Sequence, residues 1–194
     1  MVSYYKSSNA IVTNYKKSSL QSIEMTGEYI RFGLDSVEAT GLQYIMDVDI
    51  KKYFNGMYAS KPLEANTVMQ DIKENLLAKQ LSDSFIENTH ILSDTTFTMT
   101  TANKAEKEMY GAFLETKTGS GLVTKSNAKY WVGQDEYLDE KFTLASKEYA
   151  IRYVQGFADA KACIVIDISA VTIQEILDGL DFWASAFVVR ITFI

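Results

Sequence analysis

The chain has 194 residues, 47% of them hydrophobic and 12% aromatic, which is enough to bury a sizeable core and excludes a disordered protein. A formal net charge of −6 and a pI near 4.9 exclude broad binding to a phosphate backbone, which needs a basic surface that releases counterions. A single cysteine, Cys163, and a single histidine, His90, exclude an internal disulfide framework and any multi-cysteine zinc site.

In chain order, the first stretch mixes tyrosines with serines and lysines. It is read as an extended N-terminal arm over residues 1–22. It holds no uninterrupted apolar run of the secretory kind. Two strands are expected next, Gly27 to Leu34 and Leu42 to Ile50, joined by a turn with Asp35, Ser36 and Gly41. In the second, Tyr44, Met46, Val48 and Ile50 alternate with Ile45, Asp47 and Asp49. The period then lengthens: Met69, Ile72, Leu76 and Leu77 trace a helical stripe, and Thr67 with Gln70 has capping-box spacing, so a helix is placed at Thr67 to Leu81.

The Thr-rich segment Thr95 to Thr101 leads into a second short helix, opened by Asn103 and Glu106 and carrying Met109, Ala112 and Phe113 on one side. Gly121 to Gly133 reads as a hairpin turning at Ser126 and Asn127, with Trp131 as a core or interface aromatic. The longest helix is expected at about 143–162, because Phe142, Ala145, Tyr149, Tyr153 and Phe157 recur at three- and four-residue steps. A strand follows at Cys163 to Ser169. Thr172 and Glu175 cap a brief helix from Ile173 to Leu180, and an apolar strand runs through Phe187, Val189, Ile191 and Phe193.

These elements make an α+β fold of one domain, residues 1–194. A mostly antiparallel sheet packs against the helix at about 143–162 and two or three shorter helices. With no run of about 18 apolar residues, no membrane span is expected, and the chain is placed in a cytoplasm or an assembled particle.

Reaction centres fail on inventory. No Gly-x-Ser-x-Gly elbow surrounds any serine, and the sequence around Gly119 and Gly121 lacks the lysine of a phosphate loop. His90 lies in a Thr- and Ser-rich stretch read as an exposed loop, and Cys163 reads as a small buried hydrophobe, so no dyad between them is expected. The residues Gly156, Phe157, Asp159 and Ala160, running into a strand, resemble the signature of the LAGLIDADG homing endonucleases. That resemblance would imply a metal-binding carboxylate two residues after Asp159, where this chain has Lys161, which cannot ligate a divalent cation.

The leading expectation is a non-enzymatic assembly or protein-interaction subunit, of the kind found in viral or phage particles. It would self-associate or bind a protein partner, and would need neither nucleic acid nor cofactor. Its grounds are the scarcity of histidine and cysteine, a tyrosine-rich polar arm, and a strongly apolar final strand that could add to a neighbour's sheet. Two alternatives stand beside it. One is a metal-dependent hydrolase or phosphotransferase in which Asp47, Asp49 and Asp167 converge on a hard divalent cation. The other is an acidic inhibitor that blocks a basic partner.

Overall fold

The structure, a computed structural model, describes residues 2–102, 108–142 and 148–191, with side chains described between 12 and 180. By its packing the chain divides into two units, residues 35–172 and the first 34 residues together with those from 173 onward. The first helix, α1 (Val2–Met46), runs through both sets of residues. Residues 2–22 are therefore helical rather than extended. Neither expected strand over 27–34 or 42–50 forms.

The pattern that decides for helix is burial. Val37, Thr40, Gly41, Tyr44 and Ile45 are buried, while Leu42 and Met46 are exposed, which is a 3.6-residue period. Asp47 ends α1 in an extended conformation and starts α2 (Val48–Phe54): the backbone N–H groups of Asp49 and Ile50 both donate to its Oδ1 at 2.9 Å. After a turn at Gly56, which sits at φ +73°, α3 (Pro62–Ser82) begins at a proline in its first turn. The expected helix over 67–81 is thus present but starts five residues earlier. Thr67 is interior and its hydroxyl donates to Leu63 O.

The sheet has five antiparallel strands: β1 (Ile86–Ser93), β2 (Met99–Thr100), β3 (Lys129–Val132), β4 (Tyr149–Gly156) and β5 (Ala162–Ser169), in the order β2-β1-β5-β4-β3. All eight residues of the central β5 are buried, as its near-continuous apolar sequence demands. The fold class is therefore α+β with an antiparallel sheet, but the long helix lies at the start of the chain.

The span read as that helix is the β4–β5 hairpin. Tyr149, Tyr153 and Phe157 are four apart, a spacing that a helix face and a regular strand face share, so it does not separate the two; in the strand an irregularity between Tyr149 and Arg152 turns Tyr149 to the Arg152 side. Gly156 does: an added Cβ would lie 1.6 Å from Ser126 O, so β4 closes against the 126–128 turn there. The residues 143–147 of that expected helix, and Asn103 and Glu106 of the second one, lie outside the described residues. What remains of the second helix is α4 (Met109–Leu114).

The sheet has two different faces. On one, Leu92, Val154, Cys163 and Val165 pack with Met109, Tyr110 and Phe113 of α4, Leu122 of α5 (Gly121–Thr124), and Leu138 and Phe142 of α6 (Glu136–Phe142). Toward the other, Tyr153 lies against Gly41 of α1 and Phe157 against Phe54 of α2. Trp131, the aromatic expected in core or interface, packs on Tyr153 at 5.1 Å between ring centroids.

β5 passes without a turn into α7 (Ala170–Ile191). The junction is held by Ser169 N–H donating to Phe85 O, Ala170 N–H to Glu148 O and the Thr172 hydroxyl to Ser84 O. Helix begins at Ala170, ahead of the expected cap at Thr172. The run 187–191 is helical rather than strand, and 192–194 lie outside the described residues. Among the described residues no helix is long and apolar enough to cross a membrane.

Candidate polar site

Strand alternation fixes the site. On β5, Asp167 follows Cys163 and Val165 on the face that packs under the short helices. The antiparallel register sets Arg152 of β4 directly opposite Asp167 and His90 of β1 opposite Val165. Three polar side chains therefore meet where the apolar core ends. All three are 0% exposed.

Arg152 Nε donates to Asp167 Oδ1 at 2.6 Å, and one terminal nitrogen of its guanidinium donates to Asp139 Oδ1 of α6 at 2.7 Å. The other donates to Asp135 O at 3.3 Å. The guanidinium lies 3.9 Å from the centre of the Tyr149 ring, a cation–π contact, and the Tyr149 hydroxyl donates to Asp139 at 2.8 and 3.0 Å. His90 Nε2 donates to Asp167 Oδ2 at 3.1 Å, and its ring stacks on Phe142 with centroids 4.1 Å apart. Thr100 Oγ1 lies 2.7 Å from His90 Nδ1 and accepts from Ala102 N–H. The arrangement that gives every proton an acceptor has Thr100 donating to Nδ1 and the imidazole N–H on Nε2.

Electrostatics follows from these contacts. Burial pushes the Asp167 carboxyl up, but His90 and Arg152 together outweigh it and hold the group below the usual carboxylate range. Burial likewise pulls Arg152 down, and the facing Asp167 carboxylate overcomes it, so the guanidinium stays charged. Burial pushes the Tyr149 phenol up, with its bond to Asp139 in the same direction. Among the described groups of this cluster, Asp139 reaches furthest toward solvent, its side chain 18% exposed. Asp135 is buried beside it and caps α6, its Oδ1 accepting from Leu138 N–H.

Asp47, Asp49 and Asp167 are not brought together. Asp47 caps α2, Asp49 is exposed with Lys52 Nζ at 3.5 Å, and both oxygens of Asp167 are engaged by Arg152 and His90. Among the described residues no group of three His, Cys, Asp or Glu side chains is placed to hold a metal ion. His90, read as an exposed loop residue, is on a central strand and buried. The stretch from Gly156 to Lys161 is the end of β4 and the turn into β5, so the helix-to-strand order of the LAGLIDADG signature is absent here.

Sequence reading singled out Asp167 but missed Arg152, His90 and Asp139. The signal was present: an acid inside IVIDIS needs a cation on the neighbouring strand, and Arg152 is the arginine that a β4–β5 hairpin supplies. The cluster pairs one guanidinium with two carboxylates and sets an imidazole against one of them. Cys163, the one thiol, is fully buried, and burial pushes its pKa far up, away from the reactive thiolate. No protein-family model matches the chain, and no curated protein is similar to it.

Proposed function

We propose that the chain is a non-catalytic binding module that takes up a small polar ligand at the Arg152–Asp167–His90 cluster and passes its occupancy to α1 and α7. The observation that supports this is the position of the cluster. A fully desolvated ion pair contributes little net stability compared with apolar packing, and such perturbed groups concentrate at functional sites. Here Asp167 sits on β5, three residues before α7 begins at Ala170, and Arg152 sits on β4 beside Tyr153, which touches α1. The cluster's charges also select a ligand. Asp139, the group of the cluster nearest solvent, holds one arm of the guanidinium beside the Tyr149 ring, so a cationic group such as an ammonium binds by taking the place of Arg152 at Asp139.

The test is a thermal-shift panel of small amines, carboxylates and phosphates. An amine held near 100 times its Kd stabilises by about 2.7 kcal/mol, roughly 5–11 °C for a chain of this size. The gain disappears in Asp139→Asn. A panel in which no class raises the midpoint removes the reading.

A second reading, the self-assembling or protein-interaction subunit, is favoured by one observation. Leu20, Ile23, Met25 and Phe32 of α1 are all more than half exposed. Leu20 and Ile23 share one side of the helix and Met25 and Phe32 another, so α1 offers apolar side chains on two sides for a partner to cover. On this reading light scattering finds a mass above 21.8 kDa that falls to the monomer in Leu20→Glu with Ile23→Glu; a monomeric wild type at high concentration discards it.

A further inference from the structure

We propose that Tyr153 and Gly41 form a relay that carries changes at the polar cluster to α1; this rests on the binding reading above and names the route by which occupancy leaves the site. Adjacent residues on β4 face opposite ways, so Arg152 and Tyr153 are the two ends of one lever through the sheet. Arg152 is held on one face by Asp167 and Asp139. Tyr153 on the other is buried, and its hydroxyl donates to Gln155 Oε1 at 2.7 Å, which fixes the ring along the strand.

The ring fills a notch that only glycine provides. A Cβ on Gly41 would stand 2.6 Å from Tyr153 Cε1, closer than real contacts allow, and a tight 3.2 Å from Cδ1. One turn earlier on α1, Glu38 accepts from Trp131 Nε1 at 3.0 Å and from Lys129 Nζ at 2.7 Å, tying the same helix to β3. Trp131 in turn packs on Tyr153. The helix thus grips the sheet edge at two points, one of them the residue next to Arg152. A movement of β4 at Arg152 is transmitted because the ring cannot slide in its notch without displacing either α1 or Trp131.

The experiment needs no ligand. In the full chain with Trp183→Phe, so that Trp131 is the sole fluorophore of its kind, Asp139→Asn loosens Arg152 at its most solvent-reaching partner. The expected result is a shifted Trp131 emission and faster amide exchange at Val37 to Ile45, by roughly fivefold or more, the low end of ordinary couplings. In a Tyr153→Leu background the same substitution leaves that exchange unchanged. Tyr153→Val, which suits a strand but leaves the notch at Gly41 empty, serves as the second uncoupled variant should Tyr153→Leu fail to fold. The relay is overturned if Asp139→Asn moves the His90 ring resonances but not the exchange of 37–45, or if both uncoupled variants transmit as the wild type does. A negative ligand panel would leave these outcomes readable, so failure of the relay and failure of the binding reading are told apart.

Discussion

Replacing Asp167 by alanine lowers the unfolding free energy by about 3–5 kcal/mol, the range seen when one partner of a buried ion pair is removed and the other is left uncompensated. In this chain the stranded partner is Arg152, 0% exposed, and His90 loses the acceptor of its Nε2 proton. Urea unfolding measures the loss directly, and the thermal midpoint falls by about 6–20 °C. Asp167→Asn is milder, since an amide oxygen still accepts one of the two bonds.

The pH dependence has a definite sign. Asp167 titrates lower in the folded chain than the unfolded value of about 3.9, so its stabilisation is present above that pH and is lost as pH falls through the folded value. The wild type therefore loses stability on acidification below about pH 4, and Asp167→Asn lacks that part of the loss. Equal acid profiles for the two proteins would contradict the ion pair.

Gly156→Ala destabilises by about 3 kcal/mol or more, because the added carbon meets backbone rather than a movable side chain. The carbon would lie 1.6 Å from Ser126 O and 2.8 Å from Ser126 C, and Gly156 N–H already donates to Ala128 O at 3.0 Å. Relief requires the 126–128 turn to move, which gives up that bond and loosens the pairing of Lys129 with Gln155 at the start of β3. Thermal unfolding gives the magnitude, and amide exchange at Lys129 to Val132 locates it. Gly27→Ala is the control: nothing lies within 4 Å of its added carbon, and in a helix interior the change stabilises by about 0.5–1 kcal/mol. Similar losses for the two would mean that β4 does not close on the turn.

The parts of the fold legible in the sequence are those where one period stands alone. ACIVIDIS has no helical stripe and became β5; the stripe through Ile72 and Leu76, both buried, became α3. Where two periods coincide the reading inverted. Tyr149, Tyr153 and Phe157 satisfy helix and strand alike, and the decision fell to Gly156 and its distant neighbour Ser126, which no local pattern contains. The reverse happened in α1: Gly41 looked like turn chemistry, yet it is a notch for a ring from β4, so its reason lies 112 positions away in the chain.

The candidate site shows the same division. Asp167 stands out locally as an acid in an apolar strand, while Asp47 and Asp49 stand out equally and serve only at a helix start. What separates them is the partner across the sheet. Arg152 and His90 join Asp167 through pairings that span 15 and 77 positions, and Asp139 joins through Arg152 across 13; such register follows from the whole sheet rather than from any one segment.

Ligand binding at the cluster is measured most directly through the chain's sole histidine. The ring nitrogens of His90 lie inside the cluster, bonded to Asp167 and Thr100, so their nitrogen resonances report on that site and no other. Titrating the folded protein with an amine that raises its thermal midpoint is predicted to shift both ring resonances in saturable fashion, with no shift in Asp139→Asn. Stabilisation without any movement of the His90 resonances would place the ligand elsewhere and rule out binding at the cluster.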